Sequence, residues 1–141
     1  MPLLSSSRST PVERPFERAA AYTGPLLSVL RIITGLLLLQ HGTQKLFAFP
    51  DASKPAVDIA SLMGLAGIIE FVGGLLFIVG LFTRPVAFLL CGFTAVAYFM
   101  AHAGRSFYPV LNGGELAVLY CFVFLYFIAA GPGPWSVDAR R

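Results

Sequence analysis

From Met63 to Phe82 the chain runs twenty residues with a single charged side chain, MGLAGIIEFVGGLLFIVGLF. At ~1.5 Å per residue, a helix of that length covers the ~30 Å hydrocarbon core of a bilayer. Lipid offers no partner for backbone N–H and C=O groups, so a lone span of this kind has to be helical. Glu70 breaks the pattern. An ionisable group at bilayer depth costs roughly 2.5–3.5 kcal/mol on insertion scales, and it faces a partner or a polar cavity rather than lipid. Ala66 and Gly67 lie a turn before Glu70, and Gly73 and Gly74 a turn after. Small residues there let a second helix come close, which points Glu70 into a packed bundle.

The rest of the chain follows the same plan. Charged residues make up 12% of it, about half the ~25% of a soluble domain, and mean hydropathy is +0.78. The apolar residues come in four long blocks, near 25–47, 62–82, 85–103 and 113–130. Pro25 and Pro85 open two of them, and Gly131-Pro132-Gly133-Pro134 ends the last. The fold expected is all-α: a four-transmembrane-helix bundle over residues 23–134. Thr83-Arg84 is a turn too short for anything but antiparallel neighbours.

Residues 1–22, rich in Ser, Arg and Pro, read as a flexible tail with a short interfacial helix near Pro15–Ala21. They carry no apolar region of a cleaved signal. Residues 135–141 form a short C-terminal tail. Arg8, Arg14, Arg18, Arg84, Arg140 and Arg141 fall on one side of the bundle, and Lys45, Lys54 and Arg105 on the other. The positive-inside rule then places both termini in the cytoplasm. Arg31 would snorkel back to that same side, and Trp135 would sit at the interface. The net charge of +3 is dispersed, with no basic run of the kind that binds nucleic acid.

Counting along each helix gives depths. Glu70 is about 12 Å from the outer surface and His41 about 9–12 Å, at ~1.5 Å per residue. His41, Gln44, Lys45, Glu70, His102 and Glu115 all fall in the outer half, and they form the candidate polar pocket. A His41–Glu70 or a Lys45–Glu70 pair is sterically sensible, with Gln44 as a further hydrogen-bond partner. Such a pocket can hold a quinone, a lipid head group or a proton relay. It can also serve only as an ion pair that sets helix register. Asn112-Gly-Gly-Glu115 has the form of a capping box. No HxxxH or ExxH spacing is present, so no metal site is assigned, and haem or metal is less favoured than a quinone. Cys91 and Cys121 read as buried structural thiols. Counted in from the inner face they lie about six and ten residues deep, several ångströms apart along the axis at ~1.5 Å per residue, which argues against a disulfide.

Several of these elements, in order, resemble the DoxX family of small bacterial membrane proteins. They are Arg31 and Gly35, His41-Gly42-Thr43-Gln44-Lys45-Leu46, the segment from Glu70 through the paired glycines to Thr83-Arg84, His102, Asn112–Glu115 and Gly131–Asp138. The resemblance implies a four-helix membrane fold, and with the topology above a multi-pass protein of the bacterial cytoplasmic (inner) membrane. It further implies association with quinone-linked oxidation or with thiol-redox and oxidative-stress partners, and it assigns no catalytic roles. Three functions stay open: a redox-associated subunit that binds a quinone or similar molecule, a non-enzymatic anchor or assembly partner for soluble redox enzymes, and a small-solute or lipid carrier built by a homo-oligomer.

Overall fold

The computed structural model describes residues 13–141. Among them every regular element is a helix: α1 (Glu13–Ala20), α2 (Thr23–Phe47), α3 (Leu62–Val79), α4 (Thr83–Ala101), α5 (Pro109–Asn112) and α6 (Glu115–Ala130), then a 3-10 turn at Asp138–Arg140. Three of them, α2, α3 and α4, are long and apolar enough to cross a membrane, and α6 is a shorter apolar helix of 16 residues. The expected N-terminal tail lies outside the described residues as far as residue 12.

The four apolar helices alternate in direction and pack as two pairs, α2 with α3 and α4 with α6. Glycine makes the first pair close. A Cβ on Gly42 would lie 2.6 Å from the backbone nitrogen of Phe71, and one on Gly74 would lie 3.0 Å from the Gly35 carbonyl. The first is nearer than a real side chain comes and the second is tighter than nearly all do, so these backbones touch directly. Large side chains join the two pairs to each other. Phe77, Phe124 and Phe127 meet edge to face with centroids 5.0–5.1 Å apart, and with Leu38, Ala87 and Leu90 they form the core. This core fills the half of the bundle nearest the chain termini.

Two helix ends differ from the sequence expectation. α3 stops at Val79 because Gly80 takes a left-handed conformation (φ 70°) and turns the chain. α4 starts at Thr83, two residues before Pro85, which sits in the first turn where its missing N–H costs nothing. The earlier start corrects the depth argument on the cysteines. Cys91 lies eight residues into α4 and Cys121 nine residues from the end of antiparallel α6, so they share one level. Their Sγ atoms are 3.7 Å apart.

Arg31 does not reach the surface. It is fully buried and donates to the carbonyls of Phe77 (2.9 Å), Ile78 (3.3 Å), Trp135 (2.6 Å) and Pro132. Phe77 and Ile78 lie in the last turn of α3, whose carbonyls lack intrahelical donors. The guanidinium fork thus joins α2 and α3 to the segment after α6. That segment is bound throughout. Val137 and Asp138 donate their N–H groups to Val79 and Gly80 carbonyls, and the Trp135 N–H donates to Ser28 Oγ. The Asp138 carboxylate accepts from the N–H groups of Phe82 (3.0 Å) and Thr83 (2.8 Å), capping α4 from 55 residues away.

Candidate functional site

Beyond the phenylalanine core the two helix pairs separate. α3 and α4 leave their shared turn at Gly80–Phe82 and enclose, with α2 and α6, a cavity of about 870 Å³. Most of its wall is apolar: Leu38, Ile69, Phe93, Ala97, Leu116 and Ala117 are typical. Exposed Met63 and Leu65 on α3, and Phe88, Leu89, Val96 and Met100 on α4, line its rim. A rim of that composition faces the acyl chains of a bilayer.

Few polar groups reach the wall. Lys45 Nζ contacts Glu70 Oε1 at 2.6 Å and Oε2 at 2.5 Å, so one ammonium holds both carboxylate oxygens. The Glu70 side chain is 9% exposed and the Lys45 side chain 20%. Of the two pairings open from sequence, the structure forms the one with lysine. His41 turns instead toward α6 and meets Tyr120 edge to face, with centroids 6.3 Å apart. His102, at the end of α4, donates from Nδ1 to the Asn112 carbonyl at 3.2 Å. A carbonyl can only accept, so Nδ1 carries a proton.

Two of the six sequence candidates do not line the cavity. Gln44 is bound to the loop after α2: its Nε2 donates to the Asp51 carbonyl and its Oε1 accepts from the Asp51 N–H, both at 3.0 Å. Lys45, one position on, is turned by about 100° around the helix and takes the interior face. Glu115 is exposed at the start of α6 and makes no capping box. Asn112 is not the N-cap of α6; it ends α5 and is itself buried. Its Oδ1 accepts from the Gly114 N–H, and its Nδ2 donates to Tyr98 Oη (3.1 Å) and the Ser106 carbonyl (2.9 Å). Among the described residues no three histidine, cysteine or carboxylate side chains converge as metal ligands would.

From sequence Tyr120 enters only as the first residue of the aromatic run Tyr120–Phe127, which with Tyr98-Phe99 could stack on a quinone ring, and its hydroxyl is given no role. Tyr120 is 6% exposed, it lines the cavity, and its hydroxyl has no hydrogen-bond partner among the described residues. Buried hydroxyls are paired as a rule, and an unpaired one costs about 1–3 kcal/mol. Its signal was present: Tyr120 is the one hydroxyl in the first half of α6.

The order of polar groups on these helices agrees with a known pattern. The DoxX family model matches residues 26–103, more than half of the chain. The chain belongs to the DoxX family. An uncharacterized protein of Haemophilus influenzae is 43% identical to it over 125 residues, covering 84% of this chain and 92% of the relative. An uncharacterized membrane protein of Mycobacterium tuberculosis is 32% identical over 143 residues, covering 82% and 81%. No solved structure matches the chain. In this DoxX chain the matched region spans α2, α3 and α4, and so holds Arg31, His41, Lys45, Glu70 and His102. The fourth wall of the cavity, α6 with Tyr120, lies beyond it.

Proposed function

We propose that this multi-pass membrane protein is a redox-associated subunit that binds a quinone, or a small molecule of similar build, in the cavity between its helix pairs. The observation that carries the reading is the buried Tyr120 hydroxyl, unpartnered on the wall of a largely apolar space of about 870 Å³. Ligand sites of roughly 300–1,000 Å³ with apolar walls and a few placed polar groups suit a molecule with an oily body and a polar head. Tyr120 Oη would donate to a ring carbonyl, Lys45 would orient it, and His41 and Glu70 would exchange protons as it is reduced and reoxidised. Entry would be lateral, from lipid. The electron partner would be a separate soluble or membrane redox protein. Both termini would face the cytoplasm, in the bacterial inner membrane.

Solvent extraction of protein purified in mild detergent tests this. The expected result is a co-purifying quinone, or saturable binding of added decylubiquinone that weakens in Glu70→Gln. Protein that carries no quinone and binds none overturns the reading. A second reading, an anchor for soluble redox enzymes, draws on the closed Lys45–Glu70 pair, which leaves neither carboxylate oxygen free and can serve purely as a register pin. It predicts a large loss of stability in Glu70→Gln with partner capture from native membranes unchanged.

A further inference from the structure

We infer that Cys91 and Cys121 form a dithiol that a quinone held in the cavity oxidises to a disulfide, an inference that rests on the function proposed above. The two Sγ atoms stand 3.7 Å apart, in van der Waals contact across the α4–α6 seam. A disulfide bond is 2.03–2.05 Å long, so about 1.7 Å of approach separates the free pair from the bonded one.

One of the two thiols also lies where an oxidant would be. Cys91 is on the cavity wall. Next to it, a Cβ on Gly92 would meet nothing within 4 Å, so this stretch of α4 stands open. Cys121 follows Tyr120, the residue whose free hydroxyl would hold a ring carbonyl. Both thiols lie near the middle of their helices, eight residues into α4 and nine from the end of α6. In a bilayer that depth favours oxidants that dissolve in lipid.

The step balances with the quinone alone. Both S–H bonds break, one S–S bond forms, and the two electrons and two protons reduce the quinone to its quinol. The product ties α4 covalently to α6 and fixes two of the four walls. The cavity then carries a record of whether the lipid around it is rich in quinone or in quinol.

Thiol counting on the wild-type protein tests this. Reduced protein in detergent is incubated with decylubiquinone or with its quinol, denatured, and labelled with a maleimide mass tag. Two tags are expected after quinol. After quinone both should be lost together in the monomer, while Cys91→Ser and Cys121→Ser each keep their single remaining tag. Quinone extracted from the same samples separates two failures. Bound quinone with both tags retained overturns the dithiol alone, whereas no bound quinone overturns the dithiol and the cavity reading together. Loss of tags through a cross-linked dimer also overturns it, because the partner sulfur would then belong to a second copy.

Discussion

Lys45 Nζ is equidistant, within 0.1 Å, from the two carboxylate oxygens of Glu70 at 2.5 and 2.6 Å. One charge on α2 thus neutralises one charge on α3 at the wall of a largely apolar space. Removing the lysine leaves a buried carboxylate with no counter-charge, which typically costs about 3–5 kcal/mol. Removing both costs far less, because no uncompensated charge remains. Thermal unfolding in detergent should therefore show a large drop for Lys45→Met and a much smaller one for Lys45→Met with Glu70→Leu. Equal losses in the single and double variants would sink the argument, since they would mean that packing, not charge, holds this wall.

The α2–α3 seam yields a contrast between two glycines. A methyl group on Gly42 would collide with the Phe71 backbone at 2.6–2.8 Å, and backbone cannot swing aside. Overpacking of this kind costs about 1–3 kcal/mol and should push α2 from α3. At Gly92 the methyl meets open space, and Gly→Ala in a helix interior gains up to about 1 kcal/mol. Gly42→Ala should lower the melting temperature, and Gly92→Ala should hold or raise it. If both shift in the same direction, the direct backbone contact between α2 and α3 is not what the pair depends on.

Hydropathy alone made the helical spans legible, because a bilayer leaves a long apolar segment one conformation. It also narrowed the partners of Glu70 to two residues. What it could not supply was facing. Gln44 and Lys45 are adjacent and equally polar, yet the 100° turn between them sends one to a loop and the other to the cavity. Arg31 looked like a snorkelling residue because two of its acceptors, Pro132 and Trp135, lie about a hundred residues away. Tyr120 sits in YCFVFLYF, where every position is apolar or aromatic and no periodicity marks the inward face. The cysteine pair was missed through a two-residue error in where α4 begins.

The docked C-terminal segment should be acid-sensitive. Partial burial raises the pKa of Asp138, but the donors at Thr83 and Phe82, with the Arg141 charge, outweigh it and hold the carboxyl below its ordinary value of 3.8. A depressed folded pKa means that the carboxylate's contribution is fully present above 3.8 and fades as pH falls through the lower folded value. Trp135, the chain's one tryptophan, reports on this segment because its backbone N–H is held by Ser28. Its fluorescence should stay constant from pH 7 to about 4, then change on further acidification. Asp138→Asn should show a weakened signal at pH 7 and no acid transition of its own. A transition that persists unchanged in the variant would assign the effect to another group.

Tyr120→Phe separates a ligand contact from a structural one. The hydroxyl makes no hydrogen bond within the described protein, so deleting it removes an unsatisfied buried group and should leave stability unchanged or slightly higher. The ring, stacked on Phe124 with centroids 5.8 Å apart, is retained. A bound quinone, by contrast, would lose one hydrogen bond of about 0.5–1.5 kcal/mol, a rise in Kd of roughly two- to twelvefold. Paired measurements on one preparation decide the matter: a melting curve without ligand and a decylubiquinone titration. Weaker binding at unchanged stability is the expected result. Unchanged binding would remove Tyr120 from the site, and a clear loss of stability would show that the hydroxyl is satisfied within the protein after all.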